Sequence, residues 1–382
     1  MPVTITKPQA TLRELLAGLK KRTGLFGEQI IRSETVTDFY SVIGQNRNRL
    51  INGDFRIDQR NAGASVTTSA LQQQIYTLDR WCYYNDVVSK RTIQQSSVAP
   101  PGFKTSVKVT VIATDTSGPQ QFFRQSIEGY NIADLDWGTA NAKPVTLSFW
   151  VRSSVTGQHG GAIQSTNTDQ CFPFAYTINV ADTWEYKTIT IPGSTSGTWG
   201  STNGIGGSLQ FEHGAGYQKT PPGVWVTSNT STSTGSVNLC ATNGATWYIT
   251  GVQLERGTVA TPFEYRPFAQ ELALCQRYYW KNSGSSGNGY VAFGAGGFIS
   301  STNFSAFVSY PVPMRATPTF SITSDLYITV VGFPYVSAIN QNYGGPNSAR
   351  IEFTTASSVA GYGGAIALQN TTASFIQASV EL

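Results

Sequence analysis

The chain has 382 residues, 40% of them apolar and 12% aromatic, which is enough to bury sizeable cores and excludes a wholly disordered polymer. Charged residues make up only 13% against a usual share of roughly a quarter, and Gly, Ser, Thr, Asn and Gln fill the gap, a balance that favours strands and turns over helices. The net charge of +4 sits in residues 1–60, with ten Lys/Arg against six Asp/Glu, whereas residues 61–382 carry sixteen of each; so weak a basic bias argues against a nucleic-acid partner.

Residues 1–47 read as a helical segment. Thr11 precedes Leu12 with Glu14 three positions on, a capping-box pattern, and Leu12, Leu15, Leu16 and Leu19 recur at helical spacing before Lys20, Lys21, Arg22 and Gly24. A weaker second helix is expected over about Glu28–Ile43, which contains several β-branched residues. A helix as short as the first is marginal in water, so its leucine stripe must pack on its own chain or on a neighbour.

From residue 48 the pattern turns to β. Tyr76–Tyr83, Thr105–Ala113, Gln120–Ile127, Pro144–Ser153, Phe172–Val180, Glu185–Ile191, Gly207–His213, Gly223–Val226 and Thr246–Leu254 read as strands separated by Gly/Ser/Asn/Pro loops. In Thr105–Ala113, Val107, Val109 and Val111 alternate with polar residues, the period of a half-buried strand. Many strands with no helices between them predict a mainly β fold, with an antiparallel jelly-roll sandwich over 48–267. Residues 268–282 read as a linker with a short helix, and 283–382 as a second, smaller β-sandwich punctuated by Pro311, Pro313 and Pro318. That last stretch carries as charges only Arg315, Asp325, Arg350, Glu352 and Glu381, which suits a surface partly covered by identical copies.

The four cysteines, Cys82, Cys171, Cys240 and Cys275, show no paired metal-ligand spacing and read as buried thiols. No stretch approaches ~18 apolar residues, so membrane insertion is not expected, and the opening residues lack the apolar core of a secretion signal, so synthesis in a cytoplasm is.

Two stretches are more specific. The first is Asn48-Arg49-Leu50-Ile51-Asn52-Gly53-Asp54-Phe55-Arg56-Ile57-Asp58-Gln59-Arg60, followed by Tyr76–Trp81. The second is Ile249–Gly257, then Ala260–Pro267, running on into Glu271–Tyr279 with its Gln276-Arg277-Tyr278-Tyr279. Together they resemble tail-fibre and virion structural proteins of tailed bacteriophages, well over 48–282 and loosely elsewhere. The resemblance implies a domain like the carbohydrate-binding modules, opened and closed by these stretches, then a C-terminal β domain. It also implies a homotrimer in the virion, attached to tail, neck or capsid protein through 1–47, with a host surface polysaccharide as ligand. A purely structural capsid or neck decoration and a tailspike depolymerase are the alternative readings. Some modules of that fold carry a structural calcium, for which Asn52, Asp54 and Gln253 could supply oxygens; turn capping is the simpler role for these residue types.

Sugar binding needs exposed ring faces beside amide or carboxylate groups. The loop-rich segment 193–235 offers Trp199, Tyr217 and Trp225 with Glu212 and His213, and Tyr290, Tyr335, Tyr343 and Tyr362 form a second candidate surface. Trp199 and Trp225 are weighed against loop or core packing. No catalytic residue is expected: Asp134 with Asp136, or Glu212 with Asp169 or Glu185, are the carboxylate pairs a glycosidase could use, and no nucleophile elbow, zinc-protease or phosphate-loop motif occurs.

Overall fold

The computed structural model describes residues 47–68, 73–86, 90–117, 120–284, 291–323, 326–329, 335–355, 360–368 and 373–382; both helices expected within 1–46 lie outside them. The described chain is mainly β, as its composition predicts. Two six-stranded antiparallel sheets form a sandwich. The first has the order β1 (Val66–Thr67), β4 (Arg91–Ser96), β5 (Ser106–Val111), β12 (Thr246–Arg256), β7 (Val145–Ser153), β10 (Glu185–Ile191). The second has the order β2 (Gln73–Leu78), β3 (Trp81–Asn85), β6 (Gln121–Glu128), β11 (Ile205–Glu212), β8 (Gly157–Ser165), β9 (Cys171–Ile178).

Alternation sends one residue of each pair inward. Val107, Val109 and Val111 from the first sheet meet Trp81, Phe123, Leu209 and Phe211 from the second in one core. Trp81 and Trp247 are fully buried, as their apolar surroundings predict. The Trp81 ring stacks on Phe123 at 4.9 Å and 7°, and its indole N–H donates to the Ile51 carbonyl at 3.1 Å. The four cysteines are buried and unbridged.

Some elements differ from the sequence expectation. Tyr76–Tyr83 is a hairpin, β2 and β3, hinged at Arg80 with φ 69°. Gly223–Val226 reduces to a single bridge from Val226 to Cys171. Leu50–Phe55 is a chain of turns, with Asn52 and Phe55 at positive φ. It still lies beside the last strand as expected: Arg49 N–H donates to Leu254 O at 2.8 Å and Val252 N–H to Gly53 O at 2.9 Å. A Cβ on Gly53 would stand 2.2 Å from the Val252 carbonyl, so only glycine permits this approach.

After the helix α1 (Phe268–Gln276), β13 (Tyr279–Ser283), β21 (Phe375–Ser379) and β16 (Thr319–Ile322) make a three-stranded sheet. Beside it β14 (Val291–Phe298), β15 (Asn303–Ser309), β19 (Ser348–Thr355), β18 (Tyr335–Gly344), β17 (Leu326–Ile328) and β20 (Gly363–Leu368) close into a barrel around a second core that includes Phe304, Ile351 and Phe353. Arginines clamp this unit to the sandwich. Arg80, fully buried, pairs with Glu381 and lies 3.6 Å over the Tyr278 ring; Arg60 reaches Glu381 at 2.7 Å; Arg277 meets Glu128 at 3.0 Å. At the same seam Arg266 bonds Glu271 at 3.3 Å and the Leu50 carbonyl at 3.2 Å, joining the opening and closing stretches of the sandwich.

Candidate functional site: a groove on the outer face of the second sheet

The core takes Trp81, Tyr83, Phe123, Leu209 and Phe211, so strand alternation turns Cys82, Tyr84, Phe122, Arg124 and Gln210 to the opposite face of the second sheet. Register sets them in rows: Tyr84 opposite Phe122, and Cys82, Arg124 and Gln210 side by side across β3, β6 and β11. The segment 214–236 folds over the far part of this face. Gln210 Nε2 donates to Ser231 O at 3.2 Å and Gln164 Nε2 to Thr230 O at 3.0 Å, while a Cβ on Gly160 would meet Thr232 at 2.4 Å. What stays open is a groove of about 150 Å³ lined by Gln74, Tyr84, Gln120, Phe122, Arg124, Gln164, Thr168, Gln210 and Asn229.

Its chemistry is mixed. Tyr84 and Phe122 stack at 4.9 Å and 8°, with Phe122 buried and Tyr84 partly open. With its amide nitrogen held by the loop, the Gln210 Oε1 is enclosed without a partner, as are the Ser208 hydroxyl and the Arg124 Nε. Buried polar atoms of this kind are costly unless something meets them. Asp86 stands at the Tyr84 end, where it accepts the Gln120 N–H at 2.8 Å.

The residues nominated from sequence fall elsewhere. Glu212 is buried under the folded-over segment, accepting N–H groups from Gln121 at 2.8 Å and Gly214 at 2.9 Å; burial raises its carboxyl to about 7. His213 is fully enclosed against Tyr83 and Trp247, and burial pulls its pKa well below the usual value. Neither reaches solvent, so the expectation that they touch a ligand is corrected: β11 and its end are a central strand covered on both sides. Trp199 and Trp225 pack edge-on to Trp137 at 4.5 and 5.7 Å, and their indole N–H groups donate to Ser196 O and Pro192 O. They pack against the core of the sandwich and, like Tyr84, are partly exposed. Tyr217 is 37% exposed on the covering segment and does not line the groove. Tyr335, Tyr343 and Tyr362 are exposed on the barrel, and Tyr290 lies outside the described residues.

No protein-family model and no curated protein sequence matches the chain. Among solved structures it is similar to the enzymatically active domain of tailspike protein 4 of bacteriophage CBA120, at 12% identity and a TM-score of 0.31, over 55% of this chain and 22% of that one. It is also similar to the xylan-binding CBM22-1 domain of Paenibacillus barcinonensis Xyn10C, at 12% identity and 0.28, over 52% and 99% of the two chains. A third is the family 11 carbohydrate-binding module from Clostridium thermocellum in complex with a β-1,3-1,4-mixed-linked tetrasaccharide, at 16% and 0.25, over 51% and 99%.

The oxygens nominated for calcium are committed. Asn52 Oδ1 accepts the Ile57 N–H at 3.0 Å, Gln253 Oε1 accepts the Glu264 N–H at 2.8 Å, and Asp54 pairs with Arg56 at 3.0 Å. Asn52 caps its own turn, Gln253 braces the closing stretch and Asp54 forms an ion pair, so each of the three has a partner other than a cation. Three of the candidate carboxylates are held by other groups. Asp134 pairs with Arg49 at 2.8 Å, Asp169 binds Ser165 and Thr198, and Glu185 binds Asn179 and Lys187. Among the described residues no helix is long and apolar enough to cross a membrane.

The groove residues carried one signal in the sequence. Arg124 stands inside an otherwise apolar and amide run, Gln121-Phe122-Phe123-Arg124-Gln125, where a charge needs a reason. The stacking of Tyr84 on Phe122 depends on which strands pair and was not readable.

Proposed function

We propose that this chain is a contact protein of a tailed-phage particle, binding a polysaccharide of the host surface in the groove of the second sheet. One observation carries the binding reading: an aromatic stack lines an open groove together with an amide oxygen and a guanidinium nitrogen that have no hydrogen-bond partner in this chain. A sugar ring offers what such a surface lacks, a C–H face for Tyr84 and hydroxyl donors for Gln210 Oε1. The placement on a phage particle is supported by the opening and closing stretches of the sandwich, which in sequence resemble those of phage fibre proteins. Avidity from three copies would offset weak single contacts. The reading assigns no catalytic step.

The test is binding of the intact protein to host envelope polysaccharide. Tyr84→Ala and Gln210→Ala should each weaken binding tenfold or more without moving the melting temperature by more than a few degrees. Undiminished binding in both would overturn the groove as the site. Unchanged binding by a capsid-bound form with the whole sandwich removed would overturn the adhesin reading in favour of a structural decoration.

A further inference from the structure

We infer that the groove selects an acidic glycan, with an anionic substituent of the polysaccharide meeting the Arg124 guanidinium; this rests on the groove being the glycan site. The argument is one of charge balance. Among the described residues three arginines are buried to within a few per cent of full enclosure, and each has a carboxylate. Arg80 pairs with Glu381, Arg266 pairs with Glu264 and Glu271, and Arg91 faces Asp115 at 3.8 Å. Arg124, which is partly exposed, differs from them. It lines the groove, its Nε is enclosed without a partner, and among the described residues no carboxylate forms an ion pair with it.

The groups that act on it are neutral. Cys82 and Tyr76 are its electrostatic neighbours, with the thiol pushed up to about 12 by burial and the phenol raised further, so neither supplies a negative charge. The Tyr76 hydroxyl is spent on the Leu382 carbonyl at 2.6 Å. Gln210, the next residue in its row, presents an amide. Desolvation is the largest influence on the Arg124 pKa and lowers it, although the side chain stays partly exposed in the groove. A desolvated guanidinium is poorly served by sugar hydroxyls and well served by an anionic oxygen pair, which its planar fork can bind bidentately. The aromatic stack two residues away on β6 then takes the ring that carries the acid, so one glycan residue spans both. A uronate carboxylate and a sulfate or phosphate ester share this chemistry.

The experiment is calorimetry on the full chain with galacturonan oligosaccharides, their carboxyl-reduced counterparts, sulfated glycans, and neutral cello- and xylo-oligosaccharides, alongside host polysaccharide before and after carboxyl reduction. The expected result is that acidic probes bind at least tenfold tighter than neutral ones of equal length. Affinity should fall several-fold between 50 and 500 mM salt, and Arg124→Gln should abolish the preference. Carboxylated against sulfated probes decides which acid is read. Arg124→Gln removes a partly exposed charge with no ion-pair partner among the described residues and should melt no lower than the parent; should it fail to fold, the salt dependence of the parent decides. Tight, salt-insensitive binding of neutral glycans that Tyr84→Ala removes and Arg124→Gln spares would overturn the charge assignment while leaving the groove a glycan site. No binding by any probe or host polysaccharide would overturn both.

Discussion

The two outer faces of the sandwich are built from the same kind of strand and differ in what lines their depressions. The second sheet carries the groove, where the Gln210 Oε1 and the Arg124 Nε lack partners beside the stacked Tyr84 and Phe122. The first sheet carries a larger depression, of about 560 Å³, walled by Phe103, Phe263 and Tyr265 on one side and Trp150 and Tyr186 on the other. There the polar atoms are committed: Tyr265 donates to the Gly102 carbonyl and Thr261 to Glu255. The smaller depression is the one whose lining holds unpartnered polar atoms. Volume measures where something could fit, whereas unmet hydrogen-bonding capacity indicates what is wanted there.

Substitutions on the two faces should differ in their effects. The largest effect should come where both faces share support. Trp81→Ala empties the centre of the core and should cost about 3–5 kcal/mol in urea unfolding, weakening both faces together. Next comes Glu212, buried under the wall of the groove. Its folded-state pKa is raised to about 7, chiefly by desolvation. A raised carboxyl pKa gives stability that is full below the ordinary carboxyl range and lost as pH rises through about 7. Glu212→Gln keeps an acceptor for the Gln121 and Gly214 N–H groups, so it should change little at pH 5 and stabilise by about 2–3 kcal/mol at pH 8.5. Equal effects at both pH values would show that the carboxyl does not titrate there.

A smaller effect separates the faces. Tyr84→Ala should cost about 1.4 kcal/mol of glycan affinity, and Tyr186→Ala on the opposite face should cost none; a loss for Tyr186→Ala in isothermal titration would move the site to the first sheet. The least effect is expected at Arg152–Asp182, a solvent-exposed pair at 3.2 Å on the first sheet. Asp182→Asn should shift unfolding by under about 1 kcal/mol.

Much of the architecture was legible because burial imposes a period of two. The Val107, Val109, Val111 alternation located β5, and the apolar runs around Trp81 and Trp247 located the core. Strands β4 and β8 were not legible: Gln-His-Gly-Gly-Ala lacks β-branched residues, and its partners β9 and β11 confer the strand state through pairing. The hairpin at Arg80 was hidden because an arginine at positive φ is held there by tertiary bonds to Ser126 and Glu381, which no local pattern encodes. The surroundings of two nominated residues were hidden for a related reason. Trp199 and Trp225 stand in loops rich in Gly and Ser, a sequence setting that suggests exposure, yet they fold onto Trp137. Tyr84 and Phe122 are far apart in sequence and become a platform only through strand register.

Strands β13 and β21 lie side by side, with Tyr279 opposite Ser379, so the polypeptide enters and leaves the barrel region at one end. Glu381 and Leu382 are held there by Arg60, Arg80 and Tyr76 of the sandwich. A tag fused after Leu382 would therefore emerge against the sandwich, beside Arg60, Arg80 and Tyr76.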